Sequence, residues 1–324
     1  MSKLYLPSKE WKRSPYPASR PAAQSGWRRK LLRKHSGLIL MFLPGFLLFL
    51  LFSYVPMYGI LLAFKQFRIV DGIWNSPWAG LEHFQRLFTG EDFLLALKNT
   101  LVIASLKLVF TFPAPIVLAI LLNEVRQAAF RRIVQTVSYL PHFFSWVILA
   151  GILFSFLGSE GGFNQMLRFI GLQPADWMLD PDSFYPIIVI STIWQSIGWG
   201  SIIYFAALSS IDPTLYEAAV ADGAGRWKQI AHITIPSLMP TIIIMFLLYI
   251  GHFLTVGFDQ IYNLTTPTNS SRADILDTYV LRHLLTMDYE LGAAAGIFSS
   301  LVGLVLVVGC NGLVKLYDKD QGLW

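Results

Sequence analysis

The sequence is poor in cysteine, in charge, and in the motifs that bind phosphate or metal. Its one cysteine, Cys310, excludes a disulfide framework and any zinc cluster built on paired cysteines. Only 14% of the 324 residues are charged, whereas 54% are hydrophobic, and the mean hydropathy is +0.53. A soluble chain of this length needs far more charge to cover its surface, so a membrane protein is expected. The dipeptide Gly-Lys occurs nowhere, which excludes a G-x-x-x-x-G-K-[ST] phosphate loop. H-E-x-x-H and G-x-S-x-G are also missing, and Gly223-Ala224-Gly225 lacks the third glycine of a dinucleotide loop. No catalytic residue, metal site or cofactor is expected in this chain. If it moves a solute uphill, another subunit must supply the energy.

Six apolar runs are long enough to cross a hydrocarbon core of about 30 Å. They cover approximately Gly37–Phe64, Leu94–Leu122, Ile133–Leu157, Phe184–Ser210, Ser237–Phe258 and Tyr289–Leu316. The second is interrupted by Lys98, Asn99 and Lys107, and Pro113 and Pro115 should kink it. Ahead of the runs, residues 1–35 form a basic tail with ten Lys and Arg against one acid, Glu10. Its composition predicts a largely disordered segment, with a short basic helix near Trp27–His35 on anionic lipid rather than on nucleic acid. The apolar run that follows is too long for the core of a cleaved signal peptide. With the N-terminus inside, seventeen of the 25 Lys and Arg fall on the cytoplasmic side and six on the other. Positive residues favour the cytoplasmic face, so both termini are expected there.

Ionisable residues within the runs are few: Lys98, Lys107, His142 and His252, with Glu124 and Asp259 near their ends. A carrier working alone normally has a buried acidic or proton-relay constellation and internal repeats. Neither is evident. A stand-alone secondary carrier or channel is therefore the weaker reading, and a membrane enzyme or scaffold is the other alternative.

The segment from Ile211 to Pro240, IDPTLYEAAVADGAGRWKQIAHITIPSLMP, is the most informative. Asp212 is a good N-cap, and Pro213 suits the first helical position. The first helix should stop near Gly223, where a left-handed turn is permitted, and a second should run from Arg226 to about Ile235. Glu217-Ala218-Ala219 combines small side chains with an acid, and Asp222 adds a second acid. Such a surface fits either docking to a basic partner or ordinary hairpin packing.

At these residues the sequence resembles the permease subunits of bacterial binding-protein-dependent ABC importers. The resemblance rests on Glu217-Ala218-Ala219, Gly223, Ile233 and Pro236 at the family's spacing, with Ile235 where the family has Leu. It implies an all-α integral membrane protein of the type I importer class, with a permease domain over residues 36–324 and a coupling segment over residues 211–236. It also implies that Glu217 pairs with a basic residue of an ATPase subunit and that Gly223 makes the turn. The implied partners are a second, related permease forming a heterodimer, two ATPase subunits that bind ATP and Mg, and a periplasmic or extracellular sugar-binding protein. The implied location is the bacterial cytoplasmic (inner) membrane. Phe258-Asp259-Gln260-Ile261-Tyr262, Asp277-Thr278-Tyr279-Val280 and the closing Gly322-Leu323-Trp324 resemble the oligosaccharide permeases; the larger permease of the alginate importer is the specific expectation, with import of neutral oligosaccharides as the alternative. A bacterial source would make the sequons at Asn263 and Asn269 accidental.

That resemblance places the transport path between two such subunits. Lys98 and Lys107 lie nine positions apart, about 900° of helix rotation, so only one can readily face the path. Lys98 is read as snorkelling to the interface. Lys107, which is deeper, is either a structural group or the cation that meets a sugar carboxylate. Trp194, Trp199, Tyr204, Phe253, Phe258 and Tyr262 offer rings for stacking on sugars, although lipid-interface belts use the same residue types. Asp259 lies in the same stretch. The Gln195 amide could bind a sugar hydroxyl or a neighbouring helix, and Gly292, Gly296, Ser300 and Gly303 read as a packing stripe on the last span.

Overall fold

The computed structural model describes residues 36–317. The basic tail with its expected helix, and the closing Gly322-Leu323-Trp324, lie outside the described residues. Among the described residues there is no strand, only an isolated bridge between Lys65 and Trp78. Six helices are long and apolar enough to cross a bilayer: Gly37–Phe64, Glu91–Asn123, Trp146–Phe169, Pro181–Ser209, Arg226–Gly251 and Tyr289–Leu316.

The chain divides after Tyr58 into two compact units. The first contains α1 (Ser36–Phe49), which has Pro44 in its interior and continues as a π-helical turn, Leu50–Tyr54. From Gly37 to Phe49 its side chains are exposed, as an apolar helix in lipid allows. The second unit holds α2 (Glu82–Thr89), α3 (Glu91–Leu106), α4 (Pro113–Asn123), α5 (Ala128–Tyr139), α6 (Trp146–Leu157), α7 (Gly162–Phe169) and α8 (Phe184–Ser209). It continues with α9 (Pro213–Ala221), α10 (Ile235–Gly251), α11 (Phe258–Leu264), α12 (Leu276–Leu285) and α13 (Tyr289–Tyr317).

Within this unit α8 is central, packing on α4, α5 and α10, while α13 packs on α2, α10 and α12. In lipid such contacts depend on close packing and internal hydrogen bonds, because hydrocarbon does not drive apolar helices together. One cluster joins Ile103 of α3, Ile188 of α8, Ile261 of α11 and Ile275. A second is aromatic: Phe93 lies edge-on to Tyr279 and to Phe298, with ring centroids 5.6 and 5.5 Å apart. A third brings Ala119, Tyr204, Leu208 and Leu238 together.

The polar interruptions of the second span have structural partners. Asn99 is buried and donates to the carbonyls of Ser271 and Asp274 at 2.8 and 2.9 Å. The Thr100 hydroxyl accepts the Leu276 amide at 2.9 Å, which ties α3 to the start of α12. The expected kink takes the form of a π-helical turn, Lys107–Thr111, just ahead of Pro113. Such a turn lets the backbone reset its hydrogen bonding before a residue with no amide hydrogen.

Two boundaries differ from expectation. The apolar run read as Ile133–Leu157 is two helices, α5 and α6, because Pro141 and an extended Phe144 break it and Ser145 caps the new start. The spanning segment there is Trp146–Phe169. The fifth span ends at Gly251 rather than Phe258, and Phe258 instead begins α11.

Coupling segment and central cavity

Asp212 caps α9, its carboxylate accepting the Thr214 amide at 2.9 Å. That amide, together with the Thr214 hydroxyl, holds the Asp212 carboxyl below the usual carboxylate range. Pro213 occupies the first turn, and the helix stops where the sequence expects it to. Gly223 has φ +77, the Gly223 amide donates to Val220 at 3.0 Å, and the Ala224 amide donates to Ala219 at 2.8 Å. This is the paired-bond helix end that a left-handed glycine makes possible. Gln229 supports the turn by donating to the Ala224 carbonyl at 2.8 Å.

Glu217, Ala218, Asp222 and Gly223 are exposed on this tip, and Ala219 is half-buried. Ile233 and Pro236 lie beyond it, half-buried and exposed respectively. The second helix does not stop near Ile235. From Arg226–Gln229 the chain passes through a π-helical turn, Ile230–Thr234, directly into α10. Across this hairpin the Tyr216 hydroxyl meets that of the buried Thr234 at 3.0 Å, bracing α9 against the root of the fifth span.

The second site is a cavity of about 530 Å³ enclosed by the π-helical turn at Lys107–Thr111, α4, α8 and the end of α10. Lys107 is the one Lys, Arg, Asp or Glu that lines it, and Gln195 lies on its wall. Lys107 is 7% exposed and donates to the Val256 carbonyl and to Gln260 Oε1, each at 2.6 Å. Among the described residues it forms no ion pair with a carboxylate. Lys98, by contrast, is exposed, so the two lysines do face apart.

Gln260 is 1% exposed and fully engaged. Its Nε2 donates to the Ile188 carbonyl at 2.9 Å and to Ser191 Oγ at 2.8 Å, while Oε1 also accepts the Thr192 hydroxyl at 2.9 Å. Gly257 makes room for this arrangement. Its φ is +92, and a β-carbon there would lie 3.4 Å from the Lys107 ammonium.

Not every expected pathway residue meets here. Trp194 lines a separate, almost wholly apolar cleft between α6 and α8. Phe258 and Tyr262 stack on each other with ring centroids 5.2 Å apart and lie outside the lining of the central cavity, as does the exposed Asp259. Sequence reasoning missed Gln260, Thr192, Gly257 and the Tyr216–Thr234 brace. Gln260 did sit inside a stretch singled out for resemblance, but only the fold shows that it is the member that lines the cavity. The sequon residue Asn269 is buried, with Oδ1 accepting the Thr266 amide and Nδ2 donating to Leu264, so its side chain is part of the loop's own structure.

A cavity among the helices of the second unit, lined by Lys107, Gln195 and Gln260, and an exposed, acid-bearing helix hairpin leading into a span are features that fit a transport permease. The chain belongs to the family described as the binding-protein-dependent transport system inner membrane component, whose pattern matches residues 111–321. Among its relatives it is 44% identical over 291 residues to Protein LplB of Bacillus subtilis, covering 89% of this chain and 92% of that one. It is 45% identical over 298 residues to the polygalacturonan/rhamnogalacturonan transport system permease protein YteP of the same organism, covering 90% and 93%. Among solved structures it is similar to a chain of a bacterial ABC transporter involved in the import of the acidic polysaccharide alginate. That chain is 42% identical, with a TM-score of 0.83 and coverage of 91% of this chain and 100% of that one. A second structure, the alginate transporter in complex with an alginate pentasaccharide-bound periplasmic protein, matches with a TM-score of 0.82 at 42% identity, covering 90% and 98%. The chain is thus an all-α, multi-pass permease subunit of the type I ABC importer fold.

Proposed function

We propose that this permease carries acidic oligosaccharides of the alginate or pectin-fragment type into a bacterial cell across its inner membrane. The observation that carries the reading is the near full-length likeness to the alginate importer chain, joined to a cavity whose one formal charge is the Lys107 ammonium. On this reading both termini are cytoplasmic, which puts the α9 hairpin where ATPase subunits can reach it. The chain pairs with a second, related permease, two ATPase subunits hold ATP and Mg, and a binding protein delivers the sugar from outside.

Each part of the coupling segment has a task in this scheme. Glu217 offers its exposed carboxylate to a basic group of the ATPase subunit, with Ala218, Ala219 and Asp222 shaping the contact. Gly223 sets the turn, and Ile233 and Pro236 lead the motion into α10. ATP can drive the cycle only by favouring one arrangement of the permease pair over the other. In the cavity, Lys107 and Gln195 line the path for the sugar. Trp194, Phe258, Asp259 and Tyr262 lie outside the lining of that cavity and would act as contacts of the assembled pair.

The test is ATPase activity of the complex co-purified with its operon partners in lipid. Stimulation by a binding protein loaded with an acidic oligosaccharide, and not by the empty protein, is the expected result. Lys107→Ala should lower that response more for acidic than for neutral sugars. Transport by the purified chain without ATP would replace this reading with that of a lone carrier.

A further inference from the structure

We infer that Gln260 is a specificity-determining residue: it holds Lys107 in the cavity wall without neutralising it, leaving one uncompensated positive charge for a substrate carboxylate. The inference rests on the acidic-sugar reading and adds the element that sets the preference. An ammonium carries three donors. Two are taken by neutral acceptors, the Val256 carbonyl and Gln260 Oε1, and Lys107 also lines the cavity, so one donor is left for a group that enters it.

The amide orientation of Gln260 is fixed by its neighbours. Ser191 Oγ lies 2.5 Å from the Ile187 carbonyl, to which it gives its proton, so toward Gln260 it acts as an acceptor and requires Nε2 on that side. Lys107, which has donors only, lies 2.6 Å away on the other side, which requires the oxygen there. A glutamate at position 260 would have similar shape and would pair with Lys107 internally. The glutamine therefore positions the lysine while keeping the charge open. A carboxylate is a stronger acceptor than an amide or carbonyl oxygen, so an acidic sugar can draw Lys107 from Gln260 and Val256, whereas a neutral sugar gains no such advantage. Because the sugar must displace existing bonds, its net hold is moderate, as passage through the path requires.

The experiment measures uptake of acidic and neutral oligosaccharides of equal length by the whole complex in proteoliposomes, for wild type and for Gln260→Glu. Wild type is expected to prefer the acidic sugar, and Gln260→Glu is expected to lower the acidic-to-neutral uptake ratio about tenfold. A wild type without preference would remove the substrate reading itself. A wild type with preference and an assembled Gln260→Glu complex with the same ratio would overturn the inference alone, as would an equal fall for both sugars, which marks a merely structural role. If Gln260→Glu does not assemble, Gln195→Glu decides the point, since it brings a carboxylate to the same cavity without breaking the Gln260 bonds. A fall in the ratio that disappears when Lys107→Ala is added would support an open charge at Lys107, and an unchanged ratio, or an equal fall with and without Lys107, would overturn it.

Discussion

At the residue scale, the polar groups buried in this bundle are either satisfied or exposed as anomalies. Asn99, Asn269 and Gln260 each use both ends of the amide or fasten a loop, so their presence in apolar surroundings costs little. Asp277 behaves differently. It lies on α12, outside the spanning helices, with Oδ2 buried and unpartnered, and burial pushes its carboxyl above the ordinary value of 3.8. A raised carboxyl favours the folded state while protonated, and that contribution is lost as pH rises through the raised value. At neutral pH the ionised Asp277 is therefore destabilising. Asp277→Asn should raise the melting temperature of the purified complex at pH 7.5, and the gain should vanish below the ordinary aspartate range. A gain that does not change with pH would show that some other property of the side chain is responsible.

At the scale of elements, the close approach of α10 and α13 tests how far a stripe of small residues dictates packing. Of the four small positions on α13, Gly303 is the one whose added β-carbon would come within 2.9 Å of a backbone oxygen, that of Gly251. At Gly296 the same addition meets nothing within 4 Å. Gly303→Ala should therefore lower stability by about 1–3 kcal/mol, the usual cost of overpacking, while Gly296→Ala should be neutral; paired thermal denaturation in detergent reads the difference. Of the stripe read from the sequence, Gly292 and Gly303 lie against neighbouring helices while Gly296 and the exposed Ser300 do not, since close packing depends on where the neighbouring backbone passes. The same division holds elsewhere. Local chemistry announced the Asp212 cap, the Pro213 start and the Gly223 turn, and all three are in place. Hydropathy found the spans, yet it merged α5 with α6 because a single proline and one extended residue weigh little in an apolar average. Lys107 could be singled out as a charge in a span, whereas its anchor, Gln260, lies 153 residues away and only the fold joins them.

At the scale of the whole molecule, the proposed coupling role requires a route by which a push at the α9 hairpin would reach the cavity. The path is short in structural terms: α9 is braced to the π-helical turn before α10 by the Tyr216–Thr234 hydroxyl pair, and α10 runs from that turn to the cavity wall. A force on Glu217 can reach α10 through this brace as well as along the continuous chain. Tyr216→Phe removes the hydroxyl and keeps the ring, and a neutral hydrogen bond contributes about 0.5–1.5 kcal/mol. The variant should bind ATPase subunits normally and hydrolyse ATP, but its sugar uptake per ATP should fall severalfold. Glu217→Ala should fail one step earlier, with weakened ATPase association and little change in the thermal stability of the permease. Measuring association, hydrolysis and uptake on both variants separates docking from transmission. Identical defects in all three would mean that the hairpin acts as one rigid tip, and that the drive enters α10 through the chain itself rather than through the hydroxyl brace.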